Sequence, residues 1–166
     1  MMEKVKNLFK ILAHKHLLVG HEEYEPHFAY LNDERDMLLP ANMAYPFVLF
    51  GHGGFEVLDG GEMRRWSLLL SVQTHVSDTG DDREKNRALN LCASILDDLL
   101  VRATSLSMKM KEPWTRGFEV DGAHGTAIEN EADALWGWMI EFSVVLPWCK
   151  DIPKDRWKDY DYLDNA

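Results

Sequence analysis

The segment Leu135 to Leu146 constrains this chain more than any other. Trp136, Trp138, Ile140, Phe142, Val144 and Leu146 alternate with Leu135, Gly137, Met139, Glu141, Ser143 and Val145. A period of two is the signature of a β-strand, whose successive side chains point to opposite faces. A slip of one residue would carry Trp136, Trp138 and Phe142 to the wrong side, so the register of this strand is fixed. A second run, Met63 to Val76, behaves alike. Trp66, Leu68, Leu70, Val72 and Thr74 share one face, and Ser67, Leu69, Ser71, Gln73 and His75 share the other. Two such ribbons need something apolar to lie against.

The segment after Asp81 supplies it. Ala88, Leu91, Cys92, Ile95, Leu96, Leu99 and Ala103 fall on one stripe at helical spacing, which predicts a helix of about twenty residues with its apolar side on a sheet. Asp81 is placed to cap this helix, and Glu84 three residues on completes a capping box. Near the N-terminus Val5, Leu8, Phe9, Leu12 and His16 recur at steps of three and four. They predict a second amphipathic helix of about four turns ending near Gly20.

The remaining elements are shorter. Phe28 and Tyr30 mark a short strand, Asn32 to Asp36 a charged loop, and Pro40 and Pro46 bracket a connection. Phe47-Val48-Leu49-Phe50 is an apolar run expected to stop at Gly51-His52-Gly53-Gly54. Gly60-Gly61 predicts a tight antiparallel hairpin between Phe55–Leu58 and the strand from Met63. Beyond Ser105 the chain reads as irregular. Thr115 to Val120 is then expected as a strand, Asp121 to Gly125 as a turn, and Thr126 to Glu129 as a returning strand. Residues 1–149 are read as a single α+β domain: a mainly antiparallel sheet, one long helix on one face and an additional N-terminal helix. Residues 150–166 are read as an acidic C-terminal tail, mobile or docked on a partner.

The 166 residues carry 28 acidic and 18 basic side chains, a formal net charge of −10, which disfavours general affinity for nucleic acid or anionic membrane. No stretch reaches the roughly 18 uninterrupted apolar residues of a membrane span, and the N-terminal segment lacks a signal-peptide core. Cys92 lies on the apolar stripe of the helix and Cys149 ends a strand. Two thiols make no disulfide framework, and a cytoplasmic chain is expected.

His14, His16, His21 and Glu22 invite a metal, but His14 and His16 diverge by about 200° on a helix and are read as surface histidines. Gly51-His52-Gly53-Gly54 has the look of an oxyanion-hole loop without a Gly-x-Ser-x-Gly nucleophile elbow, so it is read as a hairpin or bulge. Glu129, Glu131, Asp133 and Glu141 are read as solvated carboxylates, Glu141 being less ordinary for its place inside a strand. His124 sits among glycines without a second ligand placed by spacing. Trp66, Trp136 and Trp138 are assigned to the core against Leu91, Ile95 and Leu99. No catalytic, cofactor-binding or metal-ligating residue is assigned. The second sheet face, with Leu69, Leu135, Met139 and Val145 among Ser67, Ser71, Ser143 and Gln73, is mixed rather than polar. The N-terminal helix or another copy of the protein is expected to cover it.

This order of elements resembles the tail-terminator and tail-completion proteins of long-tailed bacteriophages and prophages. The resemblance covers about Ala44 to Trp148. It is carried by Tyr45-Pro46-Phe47-Val48, the hairpin into Trp66-Ser67-Leu68-Leu69-Leu70-Ser71-Val72, an acidic loop, the Ala88 to Leu100 helix, and Trp136-Gly137-Trp138-Met139-Ile140-Glu141-Phe142. The long segment to Asn42 and the Asp-rich tail from Lys150 depart from that family's pattern. The resemblance implies a non-enzymatic subunit that assembles into a homo-oligomeric ring at the head-proximal end of the tail. Its partners would be tail-tube and head-completion proteins, its place the cytoplasm during assembly and then the virion tail. An acidic ring lining would suit DNA passage, since like charge prevents sticking. The competing reading is a small-molecule- or metal-binding protein, or an enzyme, that uses the Gly51–Gly54 loop with His52, His75 or His124.

Overall fold

The computed structural model describes residues 2–20, 26–31, 43–109 and 117–147. The expected loop at 32–36 and tail at 150–166, with His21, Glu22, Pro40 and Cys149, lie outside them. The chain forms an α+β domain with a five-stranded, mostly antiparallel sheet in the order β1-β2-β3-β5-β4. The elements are α1 (Met2–Lys15), β1 (Phe28–Leu31), β2 (Phe47–Leu58), β3 (Met63–His75), α2 (Asp82–Lys109), β4 (Gly117–Asn130) and β5 (Leu135–Pro147).

β3 and β5, the two alternating ribbons, pair antiparallel along their whole length from Met63↔Pro147 to His75↔Leu135. Their apolar faces coincide because Leu68 stands opposite Phe142 and Leu70 opposite Ile140. Gly60 (φ 62°) and Gly61 (φ 94°) make the β2–β3 turn, where left-handed backbone suits glycine. The hairpin register follows from it: Leu58↔Met63, Val57↔Arg64 and Glu56↔Arg65. β1 pairs parallel to β2, from Phe28↔Val48 to Leu31↔Gly51.

Both helices lie on one face of the sheet. α2 packs on β3 and β5, and α1 lies beside α2 against β1 and β2. Val5, Leu8, Phe9 and Ala13 of α1 join Cys92, Ile95, Leu96 and Leu99 of α2 and Phe50, Leu68, Leu70, Val72, Phe142 and Val144 of the sheet in one core. Phe9 is the keystone of this layer: it stacks on Phe50 at 5.0 Å and meets Phe118 and Phe142 edge-on at 5.6 and 5.9 Å. Trp136 is buried against Val76 and Ala88, while Trp66 and Trp138 are half-buried against the main core. The expectation that α1 covers the second face is therefore overturned: the Phe9 stripe belongs to the same layer as α2.

Four boundaries also differ from expectation. α2 runs to Lys109, because Leu106 continues the stripe of Leu99 and Ala103 onto the core. β2 does not stop at Gly51. It runs through the glycines with a bulge, Gly53 and Gly54 together facing Ser67. Asp121–Gly125 is not a turn: Val120 to Ala123 form a larger bulge across from Phe142 alone, and His124 and Gly125 pair regularly with Glu141 and Ile140, so the two expected strands are a single β4. Of the capping box only half forms. Asp81 Oδ1 accepts from Arg83 N at 2.8 Å, but Glu84 turns to the preceding loop and accepts from Ser77 N and Asp78 N at 2.8 and 3.0 Å.

Candidate functional site

The face opposite the helices divides in two. At one end Phe47, Leu49, Leu135 and Met43 form a second buried cluster with Ala29 and Leu31 beside it. Ser71 and Gln73 are buried there as well, and Gln73 Nε2 donates to Ser71 Oγ at 2.9 Å. At the other end the face opens into a cleft of about 980 Å³.

Local chain geometry makes that cleft. The β2 bulge faces Ser67, and the β4 bulge faces Phe142, which pairs with Leu68. The two irregularities thus stand at the same level on either side of the β3–β5 pair. Bulges increase the local twist and bend a strand, so the outer strands rise as walls around the floor. Ser67, Leu69, Glu141 and Ser143 form the floor, Gly51 and Gly53 one wall, and Asp121, Gly122 and His124 the other.

One charged bridge spans the cleft's end. Arg65 Nη1 donates to Glu56 at 2.8 Å and its Nε donates to Glu119 at 2.8 Å, joining β3 to β2 on one side and reaching over β5 to β4 on the other. The hydrogen bonds to Glu119 and then to Glu56 hold the guanidinium pKa above its usual value. Among the described residues, the lining carries the Arg65 guanidinium and the carboxylates of Glu119, Asp121 and Glu141, an acidic balance.

Of the histidines named from sequence, His52 of β2 and His124 of β4 both line the cleft, while His14, His16 and His75 lie elsewhere. The His52 ring lies 5.8 Å from Tyr30 and 5.6 Å from Trp66. His124 pairs with Glu141 on the opposite side, and His75 lies at the far end of β3 beside Tyr45, at 5.8 Å. His14 stacks on His27 at 5.4 Å, and His16 Nε2 contacts Asp98 Oδ2 at 3.2 Å, linking the end of α1 to α2. Among the described residues, no group of three or more His, Cys, Asp or Glu side chains is placed to hold a metal ion.

The carboxylates scatter likewise. Glu129 stands opposite Trp136 on the helix side and Glu141 opposite His124 on the cleft side, so the sheet separates them. Glu131 and Asp133 lie in the β4–β5 turn, where Asp133 Oδ2 accepts from Asn130 Nδ2 at 2.8 Å. Cys92 is enclosed in the core, and burial pushes its thiol up to about 12.

Sequence reading missed Glu56, Arg65 and Glu119. The first two were within reach, since a two-glycine turn at 60–61 sets Glu56 opposite Arg65. Glu119 was not, because its position depends on the β4 bulge. Among the described residues, no helix is long and apolar enough to cross a membrane. The fold and the open concave face define the chain as an α+β domain with a one-sided helical layer. No protein-family model matches the chain, and no curated protein matches it.

Proposed function

We propose that this chain is a non-enzymatic assembly subunit, similar in role to phage and prophage tail terminators. It forms a homo-oligomeric ring that ends the tail tube and joins it to the head. The observation that carries this reading is the unequal dressing of the sheet. Among the described residues, both helices sit on one face, while the other keeps an open concave surface bounded by two bulged strands. A ring subunit needs such a face for a neighbour, and exposed concave sheet surfaces with free strand edges serve association. In this reading the virion tail is the final location, and tail-tube and head-completion proteins are the partners.

The test is tube growth. A phage tail-tube protein is polymerised with and without this chain, and tube lengths are measured by electron microscopy. Ring-shaped particles and arrest of elongation support the reading. A chain that stays monomeric and leaves tube length unchanged overturns it. A second reading, a small-molecule binding protein, draws on the size of the same cleft, which lies at the upper end of ordinary ligand sites. A small molecule retained through purification, with the chain monomeric, would favour that alternative.

A further inference from the structure

The two sides of the molecule differ in charge in a way the net charge of −10 hides. α1 holds Lys4, Lys6, Lys10 and Lys15 against a single carboxylate, Glu3. Its inner arc is buried by Val5, Leu8, Phe9 and Ala13. Its outer arc exposes Lys10 and Lys15 on either side of Ile11, which is 51% exposed. This basic ridge with an aliphatic crest lies on the helix side of the sheet. The acidic cleft lies on the opposite side, with Leu69 in its floor and Leu31 in its lining beside Gly51.

We propose that the cleft receives α1 of a second copy of this chain. Lys10 and Lys15 of that copy would stand against Asp121 and Glu141, and its Ile11 would reach Leu31 and Leu69. Size agrees with charge. A helix about 10 Å across rises about 5.4 Å per turn and so occupies roughly 400 Å³ per turn. The cleft of about 980 Å³ therefore takes about two turns, enough for Lys10 to Lys15. Because donor ridge and acceptor cleft lie on opposite sides of one sheet, the contact is heterologous, and each copy keeps one ridge and one cleft to offer. Such contacts propagate head to tail and close into a ring when the rotation allows. The inference rests on the oligomeric reading above and names the two surfaces that would carry it.

The experiment is sedimentation velocity on the full chain and three variants: Asp121→Lys with Glu141→Lys, Lys10→Glu with Lys15→Glu, and all four together. Either pair alone places like charges in contact and is expected to weaken assembly about tenfold or more, while the fourfold variant, again complementary to itself, reassembles. Circular dichroism confirms that each variant folds. A salt titration of the unaltered chain, which needs no substitution, is expected to dissociate the assembly as the charges are screened. An assembly indifferent to both pairs and to salt, or a fourfold variant that stays dissociated, overturns the docking of α1 and leaves the ring reading standing. An unaltered chain that is monomeric under all conditions overturns both.

Discussion

Replacing Phe9 by alanine tests where α1 belongs. The ring is fully buried, 5.0 Å from Phe50 and within 6 Å of Phe118 and Phe142, so it ties α1 to three strands at once. Truncating such a side chain removes its transfer free energy and leaves a cavity that rigid strands cannot fill, a loss of about 3–5 kcal/mol. That is a large share of the roughly 5–15 kcal/mol that holds a domain together. At about 2–4 °C per kcal/mol for a chain of this size, the thermal midpoint should fall by roughly 6–20 °C. Urea unfolding followed by tryptophan fluorescence measures the free-energy loss and a thermal melt measures the midpoint, both at fixed protein concentration. Leu17→Ala is the control: that side chain is 89% exposed, and its loss should stay within about 0.5 kcal/mol. A Phe9→Ala loss below about 1 kcal/mol would refute the placement of α1 in the α2 layer.

Three further outcomes follow from particular residues. A Cβ on Gly137 would collide with the Val72 carbonyl oxygen, whereas one on Gly54 meets nothing within 4 Å; Gly137→Ala should cost about 3 kcal/mol or more and Gly54→Ala very little, as read by thermal unfolding. Cys92, with its thiol pushed up to about 12, should resist aromatic disulfide reagents at pH 8 in a Cys149→Ser background and react only when the chain is unfolded. Hydrogen bonds from Ser77 N and then Asp78 N lower the Glu84 pKa, so its contribution is present above the ordinary carboxylate range and is lost as pH falls through the lowered value. Glu84→Gln should therefore lower the melting temperature at neutral pH, and the difference from the unaltered chain should vanish in acid.

The period-two ribbons of β3 and β5 were legible because their alternation is local and unambiguous. The Gly60-Gly61 hairpin was legible for the same reason, and it even sets Glu56 against Arg65. The other glycine clusters misled in part: a bulge does form at Gly51–Gly54, one of the two readings given for it, but the strand does not stop there and Asp121–Gly125 is not a turn. Gly51–Gly54 and Asp121–Gly125 carry the composition of turns, but glycine serves bulges equally well, and only pairing with Leu68, Ser67 and Phe142 decides between them. The cleft follows from those two bulges, so it was hidden along with them. The side on which α1 docks was hidden too. An amphipathic stripe says that a helix must bury one side, while Phe50, Phe118 and Phe142, distant in sequence, determine where. The mixed character of the second face was visible in Ser67, Leu69, Glu141 and Ser143, but not its division into a buried end around Leu135 and an open end around Glu141.

The mass of the chain in solution bears most directly on the claim that the open face receives companions. Sedimentation velocity at low ionic strength across a wide concentration range should give a discrete species at a multiple of 19.2 kDa, with no continuous growth. A single species at 19.2 kDa throughout, unchanged when tail-tube subunits are added, would contradict it.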